Sequence, residues 1–498
     1  MFEAGPSPPT LKASAVSRRS TLLLGTILTL AVGMNAHATP LSASDVLGQF
    51  NAVVFENFTT SADVEGRTVI GGNMTGGATF NIHPGSAASS AYSALTVYGN
   101  EVGTGSYNVN NGGGVTVLGT NAASFMLNGG GSAYIGSSNS GTVNAGSGSG
   151  SVTVGGANSG TLTAGSGSSV YVGGANSAGV SVNSGTGAIS ILGANTGTLS
   201  LGGGGSIYTG LNTGNVNING GTGSVSMNGS NSGQLTLNSG GTAKIAGNTG
   251  NVTLNGGALT YTGSQTGNLN MNGGATATKV GSVALTTPSA PSSTVGAFAT
   301  NFQTPMTALS TQLSGLSSNS TASRAGNAIT FDAVPDVDGI AVFSVNTSLF
   351  AINSTVTIQL HGASSVIVNV NVDSCISNAC AFTFPGSVNF QSPTSYADKV
   401  LWNFINATGL TFPNEFGGTV LAPLAAVTNQ GPINGTLVAK SFTGNGELHS
   451  YRYTGALPNS SGPVSGGAAA AAVPEPASVL ALLSGLVGLG WARRRRRG

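Results

Sequence analysis

Asparagine returns through the middle of the chain with a near-constant period, and this recurrence restricts the fold more than any other feature. Asn139, Asn158, Asn176, Asn195, Asn212, Asn231 and Asn248, then Gln265, stand 19, 18, 19, 17, 19, 17 and 17 residues apart. Each is followed by Ser or Thr, and usually then by Gly. Beyond this corner comes an apolar–x–apolar triplet, as in Val143/Ala145, Leu162/Ala164, Val180/Val182 and Leu199/Leu201. A glycine-rich turn and a second such triplet follow, as in Val152/Val154, Val170/Val172 and Ile189/Ile191. Period-two alternation turns the apolar pair inward and the middle residue outward. Two short strands and two glycine corners per 17–19 residues make one rung of a coil. The expected fold is therefore all-β, a β-solenoid or β-helix. About nine rungs at roughly 4.8 Å make a rod of roughly 40 Å. The asparagines are read as a structural ladder of stacked corner amides, the arrangement that stabilises cross-β stacks.

Composition agrees with a stacked rod and removes other classes. Glycine fills 80 of 498 positions without a three-residue period, which excludes a collagen triple helix. Charged residues make up only 6%, against roughly 25% in an ordinary soluble domain. Hydrophobics at 39% leave little charge to oppose collapse, so charge-driven disorder is disfavoured. Fifteen Lys+Arg over this length make no phosphate-tracking surface, and no nucleic-acid partner is expected. From Val102 to Leu285 there is no Asp or Glu, so calcium-binding repeats with an Asp in each turn are excluded.

Both ends read as addresses. Arg18 and Arg19 precede an apolar run from Leu22 to Val32, and Ala36-His37-Ala38 supplies a small-x-small cleavage site. These are the three zones of a secretory signal peptide over 1–38, with the general or the twin-arginine route left open by Ser17-Arg18-Arg19. At the other end, Val473-Pro474-Glu475-Pro476 leads into an apolar run from Ala477 to Ala492. Arg493, Arg494, Arg495, Arg496 and Arg497 follow. Sixteen residues give roughly 24 Å of helix, marginal for a membrane core near 30 Å, with the arginines held on the cytoplasmic side. The pattern closely resembles the PEP-CTERM sorting signal of Gram-negative bacteria. That resemblance implies recognition by an exosortase at the inner membrane and transient insertion of the tail as a transmembrane helix. It further implies cleavage near Pro474-Glu475-Pro476 and delivery to the cell surface or extracellular matrix.

The flanks of the repeats carry blocks of their own. Leu47-Gly48-Gln49-Phe50-Asn51-Ala52-Val53-Val54-Phe55, Asp63-Val64-Glu65-Gly66-Arg67 and Gly71-Gly72-Asn73 stand before them. After them come Gly417-Gly418-Thr419-Val420-Leu421-Ala422-Pro423 and Asn434-Gly435-Thr436-Leu437-Val438-Ala439-Lys440-Ser441-Phe442. In this order the blocks resemble the choice-of-anchor A family of bacterial surface adhesins, over roughly Leu47 to Gly455. One departure is Leu424, where that family usually has Asn after Leu-Ala-Pro. The resemblance implies that the alternating stretches beyond Ile340 complete the same solenoid body. Between the two halves, Phe298, Phe302, Met306, Leu309, Leu313 and Leu316 recur at three and four, which predicts one helix packed alongside. The expected organisation is a signal peptide over 1–38, an N-terminal cap with the repeats over 39–285, and a linker and helix over 286–320. A C-terminal β portion over 321–457, a Gly/Ala/Ser-rich linker over 458–472 and the sorting segment over 473–498 complete it.

Residues able to do chemistry are few. His83, His361 and His449 do not stand at metal-ligand spacing from one another, and no HExxH or GxSxG motif is present. Glu447 and His449 share a strand face, Asp63, Glu65 and Arg67 alternate as an ion pair would, and Asp332, Asp336 and Asp338 lie in a turn. None builds a catalytic or metal centre, so no enzyme activity, metal or cofactor is expected. Cys375 and Cys380 are expected to form a local disulfide, as suits an exported chain. The reading that unites these features is a surface or matrix protein acting in adhesion or biofilm, with exopolysaccharide or another surface as ligand. Tyr171 and Tyr208 on the outer face are candidate sugar-stacking groups. The alternative is an ice-binding solenoid, whose outward column would run Asn144, Thr163, Ser181, Ser200, Asn217, Thr236, Thr253 and Asn270.

Overall fold

The computed structural model describes residues 40–85, 88–293, 295–377 and 379–458. The signal peptide over 1–38, the sorting residues Val473 to Pro476 and Arg493 to Arg497, and nearly all of the 458–472 linker lie outside the described residues.

The chain forms the β-solenoid that its repeat demands. Each repeat gives one strand to each of two facing sheets. In the smaller sheet eleven strands follow one another from Thr79–Phe80 to Leu269–Asn272, two more than the roughly nine expected. Three of the eleven, Thr79–Phe80, Ser106–Val109 and Ser124–Leu127, are preceded by no Asn-Ser/Thr-Gly corner and so lay outside the repeat pattern. Along the smaller sheet the repeats pair in register, so Val143 meets Leu162, Leu162 meets Val180 and Val180 meets Leu199. These inward residues are fully buried. The glycines do two different jobs. A Cβ on Gly160 would fall 1.8 Å from the Gly141 carbonyl oxygen, so close stacking of rungs demands glycine there. At the opposite corner Gly257 has φ +87°, a conformation that residues with a Cβ adopt only under strain.

The larger sheet joins 22 strands, and its spatial order departs from the sequence order. It passes from Ile340–Asn346 through Ser365–Asn371, Val400–Phe404, Thr419–Asn429 and Leu437–Gly444. It then crosses to Ala52–Val54, near the start of the body, and continues through Thr68–Ile70 and Leu95–Val97 into the repeats. The two flanks thus complete one solenoid. The segment expected as an N-terminal cap does not cap anything, because Ala52–Val54 is paired on one side with Thr68–Ile70 and on the other with Leu437 to Ala439. Leu424 stands exposed at the irregularity between Ala422 and Ala426.

The actual ends differ. At one, Asn319 and Ser320 donate their N–H groups to the Val342 carbonyl, and the antiparallel hairpin Thr321–Ala325 and Ala328–Asp332 lies alongside. At the other, Leu269–Asn272 and Thr276–Lys279 remain partly or fully exposed.

The expected flanking helix runs as a π-helical turn, Ala299–Gln303, continued by an α-helix, α2 (Thr304–Ser314). Pro305 sits in the first turn of α2, where its missing N–H is tolerated. Phe302, Met306, Leu309 and Leu313 bury themselves against Val53, Val69, Ile367, Leu401 and Val438, each contributing about 1.5–3 kcal/mol. Polar contacts fix the docking: Asn403 Nδ2 donates to the Ser310 carbonyl at 2.9 Å, and Asn369 Nδ2 to that of Leu313 at 2.6 Å. A second helix not foreseen in the sequence, α1 (Ala43–Gln49), is started by a Ser42/Asp45 capping box and joins the same apolar cluster. Strands beneath the two helices are buried on both faces, hence consecutive apolar residues such as Val366 to Val368 and Val400 to Trp402.

Candidate functional site

The asparagine column lies inside the rod. Asn139, Asn158, Asn176, Asn195, Asn212, Asn231 and Asn248 are each at most 1% exposed. Each side chain donates through Nδ2 to the carbonyl two residues on, closing its own corner. From Asn139 onward, Nδ2 also donates to Oδ1 of the next asparagine at 2.7–2.8 Å, as far as Asn248. Two members escaped the sequence reading. Asn121 donates to Asn139 Oδ1 at 2.7 Å, and Glu101 bridges to Asn121 below it. Asn121 precedes Ala-Ala instead of Ser/Thr-Gly, so only its spacing of 18 marked it. Glu101 is completely buried: Oε1 accepts from the Gly103 N–H at 3.0 Å and the Tyr107 hydroxyl at 3.2 Å, and Oε2 has no partner. Burial pushes this carboxyl above the ordinary carboxylate range. A column so enclosed closes each corner and ties each rung to the next.

The acids and histidines of the flanks make mostly local contacts, and Glu65 also reaches across to the C-terminal half. Asp63 Oδ1 accepts from Thr79 N–H, Glu65 Oε2 from Ser450 N–H, and Arg67 Nη1 donates to the Gln49 carbonyl. Glu65 pairs with His83 at 3.0 Å, so the Asp63/Glu65/Arg67 ion pair expected from alternation is not formed: these side chains serve backbone groups of neighbouring rungs. Glu447 and His449 do meet, at 2.9 Å, and His449 Nδ1 lies 2.6 Å from Asn434 Oδ1. Asp336 Oδ1 accepts from the Asp338 and Ile340 N–H groups in a tight turn, and Asp332 pairs with His361. Among the described residues no three His, Cys, Asp or Glu side chains stand together at metal-binding reach.

Cys375 and Cys380 are joined by a disulfide, with Asn406 Nδ2 beside both sulfurs. Alkylation without reductant should leave the intact mass unchanged, and alkylation after reduction should add two groups. Labelling without reductant would refute the bond.

Of the two outward faces, that of the larger sheet is partly covered, with Tyr134, Thr153, Ser190, Ser226 and Thr260 still half-exposed. The chain returning from the last rung crosses the larger sheet: Thr287 Oγ1 lies 3.3 Å from the Tyr208 hydroxyl, and Tyr98 donates to the Gly296 carbonyl at 2.6 Å. Tyr171 and Tyr208 are each only 7% exposed, so they are not available to stack on a sugar, contrary to the sequence expectation. The face of the smaller sheet stays open. Its central column, Asn144 to Thr253 at one residue per rung, is half-exposed on every rung.

Toward the bare end this face becomes dense in amides. On one side of the central column stand Asn215, Gln234, Asn251 and Asn268, on the other Asn219, Asn238, Asn255 and Asn272, all exposed. Asn272 donates to Asn255 at 2.9 Å, Asn255 to Asn238 at 3.3 Å and Asn238 to Asn219 at 3.4 Å. Asn268 donates to Asn251 at 3.0 Å. The sequence held this signal in the residue flanking each apolar pair, a position outside the pattern used to find the strands.

A family model described as "Putative Ice-binding-like adhesive domain" matches residues 43–145 and 196–450. The gap between the two matched parts falls within the repeats, where rungs are interchangeable units. A second model, the PEP-CTERM protein-sorting motif, matches residues 472–497. Among solved structures, the tapirin C-terminal domain of Caldicellulosiruptor kristjanssonii is similar at 14% identity, over 81% of this chain and 94% of that one. Its TM-score of 0.16 is too low to bear on fold or function. No curated protein matches the chain.

Proposed function

The chain belongs to the ice-binding-like adhesive domain family and carries a PEP-CTERM sorting motif, and on that premise we propose a non-enzymatic adhesin released to the surface by an exosortase. It is an exported surface protein of adhesive type. The finer reading is a choice-of-anchor A adhesin of a Gram-negative bacterium that holds glycans or other surfaces in a biofilm matrix. The observation that carries it is the open, uncharged face: a stiff rod presents hydroxyls and amides on successive rungs, free of any acid or imidazole to move a proton. Such a surface binds by many weak, repeated contacts, as adhesion requires. Deleting the gene should reduce surface attachment and matrix retention, and unchanged attachment would overturn the reading.

Ice binding is the second reading, favoured by the family's description and by one polar residue per rung on the open column. That column mixes Asn, Thr and Ser, and an ice plane selects for repetition of one side-chain geometry. The purified body should therefore show no thermal hysteresis, and a measurable freezing gap would favour ice over the adhesin.

A further inference from the structure

Resting on the adhesin reading, we infer that the amide-dense distal half of the open face is a binding site for neutral polysaccharide. The column Asn219, Asn238, Asn255 and Asn272 is exposed, and its members donate in sequence toward Asn219, which in turn donates to Ser200 Oγ at 3.1 Å. A primary amide has two N–H donors and two acceptor lone pairs. The ladder uses one N–H of each donor and one lone pair of each acceptor, so a donor and an acceptor per rung remain for a ligand. A sugar hydroxyl both donates and accepts, which makes a polyol the complementary partner. The rungs repeat these paired groups every ~4.8 Å along the axis, so a linear glycan lying parallel to the rod meets them repeatedly.

Two further observations narrow the ligand. The amides are held by one another, so little side-chain entropy remains to be lost on binding. Between Val102 and Leu285 the only side chains charged at neutral pH are Lys244 and Lys279, both on strands of the larger sheet, so the amide face itself carries no charge to attract a uronate or sulfated polymer. With Tyr171 and Tyr208 covered, recognition relies on hydrogen bonds and not on ring stacking.

The test is retention of the purified mature protein on microcrystalline cellulose, with alginate gel as the anionic comparison. The protein should be retained by cellulose and stay bound in molar sodium chloride. The double variant Asn238→Val/Asn255→Val, which keeps a strong strand preference, should bind about tenfold more weakly through loss of two net hydrogen bonds. Its melting temperature should remain near that of the parent. Asn238→Asp/Asn255→Asp, nearly isosteric, should lose binding likewise and guards against a packing fault in the first variant. Asn144→Val, on the same face outside the amide array, should bind as the parent does. Equal retention of the amide variants, or salt-eluted binding to alginate alone, would overturn the site. Loss of attachment on gene deletion with no cellulose retention would refute this inference and leave the adhesin reading intact. Retention with unchanged attachment would do the reverse.

Discussion

Asn195→Ala is expected to be among the most destabilising single substitutions in the body, lowering stability by about 3–6 kcal/mol. The asparagine is completely buried in mid-ladder. It accepts from Asn176 Nδ2 at 2.8 Å, donates to Asn212 Oδ1 at 2.8 Å and donates to the Gly197 carbonyl at 3.0 Å. Alanine strands the Asn176 N–H and the Asn212 Oδ1 where water does not reach, and leaves the Gly197 carbonyl with the Asn215 N–H alone; each orphaned buried group costs about 1–3 kcal/mol. Asn195→Asp should be as severe, because a carboxylate removes both N–H donors and introduces a charge without a partner. Asn144→Ala, half-exposed on the open face and losing only the hydrogen bond that its Oδ1 accepts from the Gly146 N–H, is the control and should cost about 0.5–1.5 kcal/mol. Chemical denaturation of the three variants measures this. A loss for Asn195→Ala no larger than for Asn144→Ala would show that the ladder is incidental to the coil.

The ladder was legible because the corner that turns the chain must also satisfy its own backbone. Asn supplies the amide, Ser or Thr tolerates the bend, and Gly160 and its equivalents let one rung lie on the next. The helix face from Phe302 to Leu313 was legible for the same reason: a period follows from what is buried. Other features leave no period. Nothing local tells Ala52–Val54 that its neighbour is Leu437–Gly444, nearly the whole body away in sequence. Nor does the return segment announce that it crosses Tyr208, because Thr287 and Gly296 stand in irregular chain. Paired signs such as Asp63, Glu65 and Arg67 misled because alternation fixes a face but not a partner, and backbone amides of adjacent rungs compete for the same oxygens. The amide array was present in the sequence all along, one residue beyond the apolar pairs of the later rungs.

Glu101→Gln is expected to raise the melting temperature, and to do so more at pH 8 than at pH 4. Every asparagine in the ladder from Asn121 to Asn231 donates an N–H toward the next Oδ1. Glu101 stands in the first place of that column, where ladder polarity calls for a donor facing Asn121. A carboxylate has no hydrogen to give, and a neutral carboxylic acid has one. Its Oε1 already accepts from Gly103 and from Tyr107, whose hydroxyl burial keeps protonated, while Oε2 is enclosed without a partner. Desolvation raises the folded-state pKa above the unfolded value of about 4.3. Folding therefore takes up a proton as pH climbs past that value. Stability falls with rising pH until the folded-state pKa is passed, and is level above it. Glutamine keeps the acceptor for Gly103 and Tyr107, adds a permanent N–H donor and does not titrate, so it is free of this loss. The other carboxylates titrate alike in both proteins and cancel in the difference. The gap in melting temperature should close toward pH 4, where both side chains carry a donor. A gap independent of pH would mean that the acid is already ionised in the fold, and that another group supplies the ladder's first hydrogen bond.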